Sequence, residues 1–166
     1  MANEQHAFLQ SSKLPAREQW QLAITQAGFD LQLNPALQPR TVVGYVPCQL
    51  NGDDSGVEMH FENAADFMNS YRHLVGSRDC CITFRWGGSM RECACAMIAS
   101  FALAESFDAV VSYEGEAPPA SLQEFRADVE RAVRDAAKEK KRKPAATATP
   151  LKTSTPPQGK PWWRFW

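Results

Sequence analysis

Long apolar runs are missing from this sequence. Its longest uncharged stretch within an apolar pattern is Cys93–Ala104, 12 residues, and crossing a bilayer as a helix takes roughly 20. No membrane-spanning helix is therefore expected. Met1-Ala2-Asn3-Glu4-Gln5-His6 has neither a basic start nor an apolar stretch, so a secretory leader is not expected either. An even cysteine count is also missing: there are five, whereas secreted disulfide scaffolds usually carry even numbers. Reduced thiols in a cytoplasmic protein are the expectation. The one glycine pair, Gly87-Gly88, lacks the lysine of a Walker loop and the third glycine of a dinucleotide fingerprint. No Ser–His–Asp set, glycosidase-like carboxylate pair or internal repeat can be read. The sequence thus predicts no cofactor, no metal and no catalytic residues, and leans away from an enzyme.

What is present suits one compact domain with an appendage. Of 166 residues, 44% are apolar and 22% charged, an ordinary globular balance. The formal net charge of −1 conceals a split: residues 1–137 carry −8 and residues 138–166 carry +7. An acidic body bears a basic tail.

Residues 1–13 are polar and are expected to fray. Leu14-Pro15 opens a helix with Pro15 at its first position, Trp20, Ala23, Ile24 and Ala27 on one face, and Gly28 as the stop. Phe29–Leu33 reads as a short strand. Val42–Leu50 and Val57–Phe61 read as a hairpin around the turn formers Asn51–Gly56, with Pro47 marking an edge or a bulge. Asn63 starts a second helix with a Phe67, Tyr71, Leu74 stripe, stopped by Gly76. Asp79–Trp86 is the clearest strand. Ser89 and Glu92 form a capping box ahead of an apolar, Ala- and Cys-rich helix over residues 90–106, which should be central. Ala109–Tyr113 is the last strand. A second capping box, Ser121 with Glu124, opens a helix burying Leu122, Phe125, Val129 and Val133, with Glu130 and Arg134 paired outside. A long helix between two strands favours a crossover. The predicted fold is a single α+β domain over residues 14–137, its sheet mixed or largely antiparallel.

Each candidate site has a plainer reading beside it. Cys80, Cys81, Cys93 and Cys95 with His73 or His60 could be imagined around zinc. Adjacent strand residues point apart, however, and residues two apart on a helix diverge by about 200°. Core packing is the expected role of these thiols. Cys93, in a first helical turn, sits where the dipole favours a thiolate, but it lacks a histidine at readable spacing. Arg85, Gly87, Gly88, Ser89 and Arg91 place a glycine turn and two guanidinium groups at a helix start, a sensible site for an anion or carboxylate. Its plainer reading is a tight strand-to-helix turn. His60 between Glu58 and Glu62 reads as an exposed histidine among carboxylates rather than an acid–base pair. Asp53 and Asp54 read as solvated loop residues.

The tail is the most unusual feature. Residues 138–161 form a Lys-, Pro-, Thr- and Ala-rich linker, expected to be disordered, before Trp162, Trp163, Arg164, Phe165 and Trp166. Such an aromatic cluster calls for a cover. With Lys140, Lys141, Arg142 and Lys143 upstream, it suits an anionic membrane surface, making the protein peripheral at the inner face. Its Pro-Trp-Trp-Arg-Phe composition resembles that of Trp-rich cationic antimicrobial peptides. A groove on a protein partner, a pocket of the acidic body and single-stranded nucleic acid are the alternatives, the last opposed by the body's charge.

Around Arg85-Trp86-Gly87-Gly88-Ser89-Met90-Arg91-Glu92-Cys93-Ala94-Cys95-Ala96, and again at Leu14–Trp20, the chain resembles a group of small bacterial proteins similar to immunity proteins of contact-dependent or type VI toxins. The resemblance covers the body and not the tail. It implies a non-enzymatic cytoplasmic inhibitor that turns an acidic face to a basic toxin. The expected function is thus binding, of an immunity or adaptor kind, with a small enzyme or anionic-ligand binder at the Arg85–Arg91 turn as the alternative.

Overall fold

A computed structural model describes residues 2–139. In chain order the elements are β1 (Asn3–Leu9), α1 (Arg17–Gln26), β2 (Leu31–Gln32), β3 (Val43–Leu50), β4 (Asp53–Asn63), α2 (Met68–Val75), β5 (Cys80–Trp86), α3 (Met90–Phe107), β6 (Val110–Tyr113) and α4 (Leu122–Lys138). The six strands form one sheet in the order β2-β3-β4-β5-β1-β6, and every neighbouring pair is antiparallel. The fold is α+β, as expected, and of the two sheet types the antiparallel one holds.

The expectation of a frayed start is wrong, and correcting it explains the sheet. Residues 3–9 form β1, paired along its length with β5 and, through Gln5–Phe8, with β6. Ala7, Phe8 and Leu9 are completely buried. β5 and β6 do run parallel across α3, as a crossover requires, but β1 lies between them and opposes both. The N-terminal strand turns a mixed sheet into an antiparallel one.

The two faces of the sheet are covered unequally. Trp20 and Ile24 of α1, the small-residue surface of α3, and Phe125 and Val129 of α4 pack on one face against Leu9, Met59, Ile82 and Phe84. Full burial of side chains of this size stabilises by about 1.5–3 kcal/mol each. Among the described residues the other face receives α2 and the helical turn Ala64–Phe67 before it, which close a small second core of Phe8, Ala64, Leu74, Val75 and Cys81. The alternation of β5 sorts the two: Cys80, Ile82, Phe84 and Trp86 face the large core and Cys81 the small one.

Several local expectations need adjustment. The hairpin turn is only Asn51-Gly52, with φ of 51° and 81°, the left-handed pair that a two-residue turn requires and that glycine adopts freely. Asp53 and Asp54 therefore begin β4 rather than fill a loop. Pro47 sits on β3 beyond the reach of two-residue β2, so its missing N–H costs no ladder bond there. α1 starts at Arg17, and the Ala16 amide donates to Gln19 Oε1 at 3.0 Å; Pro15 precedes the cap. Leu122 is 46% exposed, and Ala132 and Ala136 are buried on α4 instead. The ion pairs on α4 are Arg131–Asp128 and Lys138–Asp135, not Glu130 with Arg134. Among the described residues no helix is long and apolar enough to cross a membrane. Lys138 and Glu139 apart, the linker and aromatic motif lie outside the described residues.

Candidate functional site

The strand-to-helix turn after β5 does hold a carboxylate, and it is the chain's own. Ser89 caps α3, its Oγ accepting from Glu92 N at 3.4 Å. Glu92 does not return to the Ser89 amide: its carboxylate accepts from Gly87 N, also at 3.4 Å. The remaining donors converge on Glu139, just past the end of α4. Ser89 Oγ donates to it at 3.2 Å, Met90 N at 3.3 Å and Arg91 N at 3.1 Å. Orphan amides at a helix start attract negative charge, and the antiparallel partner helix supplies it. Glu139→Gln or Glu139→Ala should cost about 1 kcal/mol, read as a fall of a few degrees in melting temperature. An unchanged melting temperature would remove this latch.

Arg85 is not part of that cradle. It stands on the α2 side of the sheet, its Nε donating to Glu4 Oε2 at 2.5 Å and its Nη1 lying 3.8 Å from Glu58 Oε1. Gly88 faces open space. Of the five residues singled out there, Ser89 and the Arg91 amide hold the anion, Gly87 serves the turn and Arg85 is used elsewhere.

Arg85 belongs to a polar ladder absent from the sequence reading. Antiparallel register aligns Glu58, Arg85 and Glu4 across β4, β5 and β1, and His60, Thr83 and His6 in the next row. His60 Nε2 lies 2.5 Å from Glu58 Oε1, and Glu58 is buried, so this histidine is not simply solvated among acids. His6 is completely buried, with Nδ1 3.1 Å from Thr83 Oγ1 and Nε2 3.0 Å from Glu4 Oε1. Thr83 in turn donates to Glu62. Chiefly the His6 contact, with Arg85 and against partial burial, holds the Glu4 carboxyl at about 2 instead of 4.5.

Cys81, His6 and Glu4 stand in the order of a thiol triad, with Sγ 4.0 Å from His6 Nδ1. They are sealed in, however: Cys81 is fully buried, and that burial pushes its thiol far above the usual range. Phe8, Phe67 and Tyr71 enclose the His6 ring at 5.0–5.8 Å. The row works as a buried ion and hydrogen-bond network. Cys93 departs from its dipole-based expectation, since burial first and the neighbouring Cys95 second raise it to about 11. Cys80 likewise rises to about 11 through burial.

The concave feature with distinct chemistry lies at the β6 edge. A groove of about 380 Å³ has Met97, Val111 and Phe125 beneath it and Glu116, Glu124 and Asp128 around it, with no lysine or arginine among the described residues that line it. Beside it Tyr113 is 38% exposed, and β6 pairs only with β1. Sequence reading missed this site because its acids, Glu116 from the loop after β6 and Glu124 and Asp128 from α4, surround a floor drawn from α3, β6 and α4. The visible signal was the acid-rich stretch Glu114–Glu116 followed by Pro118-Pro119.

Among the described residues these features define one α+β domain: a six-stranded antiparallel sheet with three helices on one face and one on the other. Comparison with protein-family models, curated proteins and solved structures finds no match to this chain. The tail residues Lys140, Lys141, Arg142, Lys143, Trp162, Trp163, Arg164, Phe165 and Trp166 lie outside the described residues.

Proposed function

We propose that this chain is a non-enzymatic binding protein of the immunity or adaptor kind, whose acidic groove beside β6 receives a basic, apolar-tipped segment of a protein partner. The observation that carries this is the groove's composition among the described residues: three carboxylates around an apolar floor, without a basic side chain in the lining. Such a surface speeds capture of a cationic partner and excludes anionic ones. The Lys140–Lys143 block and Trp162–Trp166 supply a second contact, at an anionic membrane surface or on the same partner.

The test uses the product of the neighbouring gene as candidate partner. Reversing Glu116, Glu124 and Asp128 to lysine should lower the association rate by about 10–100-fold at low salt. It should also flatten the salt dependence, while Arg91→Ala leaves both unchanged. An unaltered rate in the triple variant refutes the groove. For the tail, the full chain should sediment with anionic vesicles and a chain ending at Lys160 should not; equal sedimentation ends the membrane contact.

A second reading, an anionic-ligand binder at the start of α3, draws support from the Glu139 carboxylate held there. It requires Glu139 to leave, so phosphate should bind Glu139→Ala and not the unaltered chain.

A further inference from the structure

All five cysteines are among the described residues, and one pair stands apart from the rest. Cys48 on β3 and Cys95 on α3 bring their sulfurs to 3.5 Å, though 47 positions separate them in the chain. Each of the other three has a different neighbour. Cys80 Sγ donates to the Leu9 carbonyl at 3.3 Å, Cys81 Sγ lies 3.7 Å from Thr83 Oγ1, and Cys93 Sγ lies 3.9 Å from Met97 Sδ. A disulfide bond spans about 2.05 Å, so a modest side-chain rotation at either residue closes the gap. Cys48 and Cys95 are 7% and 0% exposed, which shuts out a bulky disulfide oxidant but not one scarcely larger than water.

We propose that Cys48 and Cys95 are a peroxide-oxidisable dithiol that closes reversibly into a disulfide between the β3–β4 hairpin and the central helix. Cys95 is the attacking sulfur. It accepts a hydrogen bond from the Cys48 thiol at 3.5 Å, which stabilises negative charge on it, and its own thiol donates to Ser55 Oγ at 3.5 Å. Cys48, as the donor and buried, is held protonated. The Cys95 thiolate attacks one oxygen of hydrogen peroxide. The O–O bond breaks and hydroxide leaves, becoming water with the proton that Cys95 released. The Cys48 sulfur then attacks the resulting sulfenic acid, the S–O bond breaks, and a second water departs with the Cys48 proton. Two thiols are oxidised by two electrons and one peroxide is reduced to two waters. A thiol reductant reverses the bond by exchange when local opening or unfolding exposes it.

The full chain is treated with hydrogen peroxide at neutral pH, the oxidant is removed, and the chain is unfolded in denaturant, alkylated without reduction and mapped by mass spectrometry. Three of its five cysteines should remain alkylatable, a Cys48–Cys95 cross-linked peptide should appear, and reductant added in denaturant should restore all five. In Cys48→Ser, dimedone added in denaturant should label Cys95. In Cys95→Ser, oxidation of Cys48 should slow by about tenfold or more, since its resolving step has lost its target. Should either variant fail to fold, the linkage map of the unaltered chain decides alone. Five alkylatable cysteines, a different pairing, a bond between two chains, or irreversible oxidation centred on Cys93 each overturns the proposal.

Discussion

Trp20→Ala is expected to remove about 3–5 kcal/mol of folding stability, a large share of the about 5–15 kcal/mol that a domain possesses. Trp20 is completely buried, and its indole meets Phe84 of β5 edge-on with ring centroids 6.3 Å apart. Its Nε1–H donates to the Ala99 carbonyl of α3 at 3.0 Å. One side chain thus ties α1 to both the sheet and the central helix. Truncation leaves a cavity in a close-packed layer and removes the indole donor from a buried carbonyl. Trp20→Phe restores most of the volume but not that donor, and should lose about half as much. Urea denaturation of both variants measures this. Equal losses would mean that the hydrogen bond rather than the volume carries the effect, and a Trp20→Phe loss near zero would mean that the bond contributes little.

Arg85→Met should cost about 2–4 kcal/mol at neutral pH, because it leaves Glu58 buried and Glu4 half-buried opposite an apolar side chain. The loss should depend on pH. The folded-state pKa of Glu4 lies below its ordinary value, at about 2 against 4.5. The stability contributed by its ionised form is therefore complete above the ordinary value and disappears as pH falls through about 2. His6 is the larger cause of that depression and Arg85 a further one. Removing Arg85 brings the folded pKa back toward 4.5, so the gap between variant and parent should narrow as pH falls from 5 to 3. Denaturation at several pH values checks this, and a gap independent of pH would show that Arg85 acts through packing alone.

Elements with strong periodicity were legible in the sequence. β5 alternates cleanly, α3 announces itself by Ser89 and an all-round apolar surface, and α1 by the spacing of Trp20, Ala23, Ile24 and Ala27. Each places its expected face on the core. β1 was not legible because its alternation, Glu4-His6-Phe8 against Gln5-Ala7-Leu9, looks polar and terminal. His6 is buried there only because Glu4, Thr83 and the rings of Phe67 and Tyr71 surround it. Leu122 failed in the opposite direction: the helix pattern was right, yet α4 rotates so that Ala132 and Ala136 meet α3 and Leu122 faces outward. Small residues let helices approach closely, which hydrophobicity alone does not reveal.

The anion site shows the division most clearly. Its donors, a capped helix start after a glycine pair, could be read from Gly87–Arg91, because helix termini leave amides unsatisfied wherever they occur. That Glu139 would fill it could not, since a contact across about fifty residues depends on how α3 and α4 pack. Local periodicity, capping and turn chemistry act over a few residues and are written in the chain. The order of strands, the rows of charge across β4, β5 and β1 and the Cys48–Cys95 approach each join residues far apart in sequence, and the acidic groove needs Gln5 and Met97 beside its local acids. Only the closing of the sheet and its helices around a shared core brings such groups together, because burial rewards the total apolar area covered rather than any one local pattern.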